Sequence, residues 1–252
     1  MRTPSDDVSL SAVIVACNEA SRVAEAVRSA TPWVDEVLVV DGGSRDATEK
    51  IAAREGARVI SYPWDGYIRQ KQRGVDAASH SWIVSLDADE RIGSELGAAL
   101  RDAARSLDAE GEFGARVRRV NYLDGKAIGA SGWRDRPVRL FDRRFARWGG
   151  RDPHDRVVGV RNPPLLPGVL HHDPDRTMRQ YIRGTVRHAR TKSISLAAAG
   201  RPGPLAPALH GLGHWVRKMA AGAPADGRRG WAIAWVGACG TARAYRLARR
   251  NT

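Results

Sequence analysis

Cysteine is scarce in this chain of 252 residues: Cys17 and Cys239 stand one near each end. Two thiols that far apart make neither a disulfide framework nor a spaced metal-ligand set, and both are expected to stay reduced. Long hydrophobic runs are missing too. The longest uncharged apolar stretch, Gly230 to Ala242, is well short of the ~20 residues that cross a bilayer. The opening MRTPSDDVSL has no basic segment leading into an apolar one. No signal peptide is therefore expected, and the chain reads as cytoplasmic. Two nucleotide signatures are absent. Ala16-Cys17-Asn18-Glu19-Ala20 follows the first apolar run where a G-x-G-x-x-G would stand, and no P-loop pattern occurs. A dinucleotide oxidoreductase is thereby disfavoured.

Acidic residues are nearly absent from the C-terminal part. Residues 176–252 carry 15 Lys and Arg against the single acid Asp226, net +14. Residues 1–110 carry 13 basic and 19 acidic residues, net −6, so the overall +13 belongs to the later part of the chain. Such a balance favours an anionic partner.

What the first hundred residues do have is alternation. Leu10–Ala16, Val37–Val40, Arg58–Ser61 and Trp82–Leu86 are short apolar, β-branched runs that read as buried strands. Helical patterns separate them: Val23 to Ala30, stopped by Pro32; Asp46 to about Gly56; and Ile68 to Ala78. Another follows from about Ser94 to Leu107. This order implies an α/β fold with a mostly parallel sheet and helices on both faces. Ligands in such sheets bind beyond the carboxyl ends of the strands. Cys17-Asn18-Glu19, Asp41-Gly42-Gly43-Ser44 and Asp87-Ala88-Asp89-Glu90 all fall there. After Gly114 shorter strands are expected at Ala115–Asn121 and Val138–Phe141. Beyond Asp175 the pattern is helical again, with Met178, Ile182, Thr185 and Ala189 on one face. A Gly-Pro linker spans 200–204, and two helices are expected at about 207–221 and 229–247. Residues 1–175 read as a catalytic domain and 176–252 as a basic helical extension.

The three acids of SLDADER, residues 85–91, repel one another at the end of a strand. In a strand-end turn, Asp87 and Asp89 can point toward one space, where a divalent cation shared with a diphosphate would relieve that repulsion. The alternative is a helix N-terminus, which also favours acids. Asp41 can accept hydrogen bonds from a base or ribose, or simply close an Asp-Gly turn. Asn18 and Glu19 can line a site or cap a helix.

SAVIVACNEASRVAEAVRSA, VDEVLVVDGGSRDATEKIA and SWIVSLDADER together resemble family 2 glycosyltransferases of the GT-A fold. More narrowly, YPWDGYIRQKQRGVDAASHSWIVSLDADER, RLFDRRFARW and DPHDRV are similar to the subgroup that adds glucose to the inner core of lipopolysaccharide. DGRRGWAIA resembles that subgroup's tail. The resemblance covers residues 8–175 and, more loosely, the C-terminal part.

The resemblance implies an inverting transferase that uses a nucleotide-sugar donor, a UDP-sugar first, with Mg²⁺ or Mn²⁺. Asp41, Asn18, Glu19, Asp87, Gln70 and Lys71 would lie at the nucleotide-sugar, and Asp89 would hold the metal. Asp155 would be the general base, with His154 beside it on the acceptor side; the subgroup has His-Glu where this chain has His154-Asp155. Arg139 would offset diphosphate charge, and Trp133 would stack on an acceptor sugar. The acceptor would be a glycan or glycolipid, and no nucleic acid is expected. The basic helices with their aromatic residues would rest on an anionic membrane surface, peripheral at the cytoplasmic face of the inner membrane, or only cap the catalytic domain with their arginines in solvent. The alternatives are a polyprenyl-phosphate sugar transferase of the same fold and a non-enzymatic basic nucleic-acid-binding protein.

Overall fold

A computed structural model describes residues 8–128, 135–151, 154–173 and 177–250. The chain divides into two compact units, Met1–Arg119 with Asp135–His172, and Val120–Arg134 with Asp173–Thr252.

The first unit begins with the expected alternation: β1 (Leu10–Ala16), α1 (Val23–Ala30), β2 (Glu36–Asp41), α2 (Thr48–Arg54), β3 (Arg58–Ser61), α3 (Tyr67–Ala77) and β4 (Trp82–Asp87). It continues through β5 (Glu90–Ile92), α4 (Ser94–Glu110) and β6 (Gly114–Arg116). Six strands form the main sheet in the order β3-β2-β1-β4-β9-β6, with β9 at Val138–Asp142. The first four are mutually parallel, β9 is antiparallel to β4, and β6 is antiparallel to β9.

Every residue of β1 is buried, as a central parallel strand covered on both faces requires. Leu10, Ala12 and Ile14 point into a core built with α1, α2 and α4. Val13 and Val15 point the opposite way, into a second core with Val75, Phe141 and Trp148. The helix α1 buries Val23, Ala26, Val27 and Ala30, one face at helical spacing, and Pro32 opens a 3-10 turn after it. α3 lies directly on the sheet because Gly74 has no side chain: a Cβ there would stand 2.3 Å from Val13 Cγ1. A hairpin of β10 (Arg147–Arg151) and β11 (His154–Val158) and the short β12 (Leu170–His172), antiparallel to β5, complete the unit.

The sequence pattern put one strand at Ala115–Asn121. The structure has two, β6 and then β7 (Arg119–Leu123), because pairing with β9 breaks register at Ala115/Arg116 and the chain leaves the main sheet.

All but the first residue of β7 belongs to the second unit, where it forms a hairpin with β8 (Lys126–Ile128). Three helices follow: α5 (Met178–Ala198), α6 (Ala206–Ala220) and α7 (Gly227–Arg250). Leu123, Ile128 and Ile233 form a small core with Met178 and Tyr181 against it. The expected apolar face of α5 is corrected in one respect: Ile182 is exposed. The buried residues are Gly184, Ala189 and Ser193. Small side chains, which let helices approach closely, choose the packed face here.

Candidate active site

The strand register gathers the site. Ala16 pairs with Asp41 and Val15 with Asp87, so the ends of β2 and β4 flank the end of β1. Asp41 is fully buried, and its Oδ2 accepts hydrogen bonds from the amides of Gly43 (2.8 Å) and Ser44 (2.7 Å). The carboxylate thus closes its own turn. Asn18 has φ 57°, a left-handed conformation that asparagine tolerates. Its amide donates to Ser44 Oγ and its Oδ1 accepts from the Arg45 amide, tying the β1 turn to the β2 turn. The Glu19 amide donates to Thr48 Oγ1, while its carboxylate takes Arg22 Nε at 2.7 Å. Burial pushes the Glu19 carboxyl above its ordinary range despite Arg22, and Asp89 adds to the rise. Burial, with Asp41 and Glu19 next, likewise raises the Cys17 thiol, which keeps it protonated.

The acids of SLDADER do not share one fate. Glu90 is fully buried, accepts from the Asp87 amide, and takes Arg139 Nη2 at 2.7 Å and Arg119 Nη1 at 3.0 Å. Asp87 takes Lys71 Nζ at 2.8 Å on one oxygen and Arg139 Nη2 at 2.8 Å on the other. Burial opposes ionisation of Asp87, but Lys71 and Arg139 outweigh it and hold its carboxyl well below the carboxylate range. The same contacts act in reverse on the two cations. Burial works against the charge on both, yet Asp87 and Asp155 raise Lys71, and Glu90 and Asp87 raise Arg139. Two of the three carboxylates are therefore neutralised by the protein itself.

Asp89 is the exception. Its Oδ1 is buried with no hydrogen-bond partner. Its Oδ2 lies 3.6 Å from His172 Nε2 and 3.9 Å from Arg22 Nη1. β12 brings His172 there by pairing it with Glu90. An orphaned carboxylate oxygen beside an imidazole suits Mn²⁺ or Mg²⁺. Among the described residues no group of three or more His, Cys, Asp or Glu is arranged to hold a metal ion. A cation held by Asp89 and His172 would thus take its other ligands from a diphosphate and water.

Two clefts meet at Asp87. One, of about 420 Å³, is walled by Asp87, Asp89 and His172 with Cys17, Glu19 and Trp64. Trp64 and Tyr67 stand edge to face at 4.9 Å in its wall, a stacking surface for a flat ring. Gly42 lets Trp64 sit there, since a Cβ would fall 2.6 Å from the indole. The other cleft, of about 540 Å³, is lined by Lys71, Asp87, Arg139, Trp148 and Asp155. Asp155 lies on β11 opposite Gly150, and its Oδ2 accepts from Lys71 Nζ at 2.7 Å. The Lys71 ammonium also stands 4.5 Å from the centre of the Trp148 ring.

The structure thus brings together Lys71, Asp87, Arg139 and Asp155, with Asp89 across the strand end. Arg139 is buried and its guanidinium is engaged by Asp87 and Glu90. Gln70 is held apart: its Nε2 donates to the carbonyls of Tyr62 and Pro63, both at 3.1 Å, fixing the loop that carries Trp64. Trp133 lies outside the described residues, as does the side chain of His154. Sequence reasoning missed His172, Trp64, Trp148 and Arg119. Trp64 and Trp148 lie within the stretches YPWDGYIRQKQRGVDAASHSWIVSLDADER and RLFDRRFARW, where they were given no role, and for His172 the paired His171-His172 was a signal but nothing in it named β5 as the partner.

The model of glycosyl transferase family 2 matches residues 11–156, more than half of the chain. The lipopolysaccharide core biosynthesis glycosyltransferase LpsC of Rhizobium meliloti is 33% identical over 200 residues, 76% of this chain and 73% of that one. An uncharacterized glycosyltransferase of Rickettsia felis is 46% identical over 87 residues, 34% of this chain and 31% of its own length. The crystal structure of S. aureus TarS superposes with a TM-score of 0.50 at 14% identity, covering 72% of this chain and 39% of TarS. The chain spans about a third of the R. felis protein and rather more of TarS. A mostly parallel sheet with this strand order and TarS-like superposition is the GT-A fold, and the chain belongs to glycosyl transferase family 2.

Proposed function

We propose that the chain is an inverting transferase that moves a sugar, glucose first among candidates, from a nucleoside-diphosphate sugar to a glycan or lipid-linked acceptor such as the lipopolysaccharide core. The observation that carries this is Asp87 standing in the walls of two clefts at once. The cleft with Asp89, His172 and the Trp64–Tyr67 pair takes the donor. The cleft with Asp155 takes the acceptor, so the sugar to be transferred sits where the two meet.

In this scheme Trp64 stacks on the base, and the Asn18–Glu19 and Asp41 turns frame the nucleotide. Asp87, fixed by Lys71 and Arg139, orients the donor rather than accepting a proton. Asp155 removes the proton from the acceptor hydroxyl as that oxygen attacks the anomeric carbon on the face opposite the leaving diphosphate. Asp89 and His172 would hold Mg²⁺ or Mn²⁺, which when bound neutralises charge on the diphosphate. A glycolipid acceptor would place the protein, peripherally, at the cytoplasmic face of the inner membrane. Among the described residues no helix is long and apolar enough to cross a membrane.

The test is a thermal-shift panel of UDP- and GDP-sugars with Mn²⁺ or Mg²⁺, run in parallel on Asp89→Ala. One nucleotide should raise the melting temperature in a metal-dependent way, and the variant should lose that rise. No shift with any donor in either metal would overturn the donor site.

A further inference from the structure

We infer that the outward face of α6 and α7 docks on an anionic lipid bilayer. α6 carries Leu209, Leu212 and Val216 at helical spacing, with Leu205 at its N-cap, and all four are exposed, Leu205 by 68% and Leu209 by 64%. A helix that serves only to pack would bury that stripe. α6 buries Pro207 and Gly211 instead. Gly211 faces Ala242 while Trp215 stands 6.1 Å from Trp231, so α6 and α7 run antiparallel.

Beside the leucine stripe α7 exposes Trp231 and, by 65%, Trp235. Leu212, Trp215 and Trp235 line one groove of about 380 Å³. The same outward face of α7 starts at Arg228 and runs past Trp235 and Cys239 to Arg243, Arg246 and Arg250, all exposed. On α7 the tryptophans thus stand between Arg228 and the arginines from Arg243 on, and the leucine stripe of α6 runs alongside.

Three occupants can be compared. A second copy of the chain would bring two strongly basic surfaces together, since residues 176–252 carry net +14, and their repulsion opposes it. A nucleic acid would satisfy the arginines and leave the leucine stripe in water. A bilayer with anionic headgroups matches both parts: the Leu and Trp side chains enter the boundary of the acyl region while the arginines meet lipid phosphates. The helices then lie on the membrane rather than across it, since among the described residues none is both long and apolar enough to cross. This deepens the glycolipid-acceptor reading by naming the surface, yet its test needs neither donor nor acceptor, so either can fail alone.

The full chain is sedimented with vesicles of phosphatidylcholine alone and of phosphatidylcholine mixed with phosphatidylglycerol, across a range of salt. Binding is expected to the mixed vesicles only, weakening as salt screens the arginines. The variant Leu209→Ser/Leu212→Ser/Trp235→Ser changes only exposed side chains. With circular dichroism and melting temperature unchanged, it should lose more than about tenfold in vesicle affinity. Brominated phosphatidylglycerol should quench the tryptophan emission of the wild type. Equal binding to both vesicle types, undiminished binding by the variant, or a variant that alters only self-association or duplex DNA binding would each overturn the inference.

Discussion

Lys71 and Asp155 stand 84 residues apart in the chain, and the lysine ammonium lies 2.7 Å from the aspartate Oδ2. The same ammonium holds Asp87 at 2.8 Å, and only 4% of the lysine side chain is exposed. One buried cation therefore joins the end of β4 to β11. Replacing Lys71 by Met leaves two carboxylates, 28% and 15% exposed, without the buried cation that joins them. Removing one partner of a buried pair costs about 3–5 kcal/mol. Lys71→Met is expected to lose stability on that scale in urea unfolding. A midpoint equal to the wild type would show that the bridge is not formed in solution.

Asp155 is the proton acceptor in the proposed reaction. Asp155→Asn preserves shape and removes the base. Its kcat should fall by about 10²–10⁴, while the donor-induced thermal shift stays in place. A variant that transfers sugar at the wild-type rate would move the base elsewhere in the cleft.

The fold was legible where continuous apolar runs and helical stripes stood out, as in β1, β4, α1 and α4. It was not legible in β5, β10, β11 and β12, which are three to five residues long and take their structure from partners distant in the chain. The site divides along the same line. Asp41, Asp87 and Asp89 could be read because each follows a clear strand. His172 could not, because its place depends on β12 pairing with β5. The repulsion within SLDADER was visible, but its main relief was not. Arg119 and Arg139 reach Glu90 from 29 and 49 residues away, and no local pattern announces such pairs.

His172 offers the test of the cation site that Asp89 alone cannot. Even residues that only orient a metal ligand are worth about 10–100-fold in metal affinity, so a direct ligand should be worth at least as much. His172→Ala is expected to raise the Mn²⁺ concentration needed for the nucleotide-induced thermal shift by that factor. Nucleotide binding measured in chelator should not change. If the Mn²⁺ requirement is unaltered, His172 does not ligate the cation.

Gly42 gives a test of the aromatic wall. A Cβ at this position would stand 2.6 Å from Trp64 Cε3 and 3.1 Å from Cys17 Cβ. Trp64 is 40% exposed and has room to swing outward. Gly42→Ala should therefore displace the indole from the cleft with little loss of stability. Overpacking of this kind costs about 1–3 kcal/mol, and here the cost should appear as a donor Kd raised about tenfold or more. Trp64 is one of eight tryptophans, so its displacement is read as the part of the emission change that Trp64→Phe abolishes. An unchanged Kd alongside a lowered melting temperature would make Gly42 a packing residue only.

Glu36 controls stability from the opposite, amino-terminal edge of the sheet. Its Oε2 accepts from Ser11 Oγ at 2.6 Å and the Ser79 amide at 2.7 Å, and its Oε1 accepts from Arg58 Nη2 at 2.8 Å. Burial works against the charge, but these hydrogen bonds prevail and lower the carboxyl from 4.5 to about 2. A carboxyl depressed by folding contributes its full stability above its unfolded value and loses it as pH falls through the folded one. The contribution should be whole at neutral pH, begin to fall near pH 4.5 and be gone below about pH 2. At about 1.4 kcal/mol per unit, the shift sets an upper limit of about 3.5 kcal/mol. Glu36 is 11% exposed but its partner Arg58 is 46% exposed, and solvent screening brings the contribution down to about 1–2 kcal/mol. Glu36→Gln should lose about that much at pH 7 and show a correspondingly flatter decline between pH 5 and pH 2 than the wild type. Parallel pH profiles for the two proteins in urea unfolding would refute the assignment.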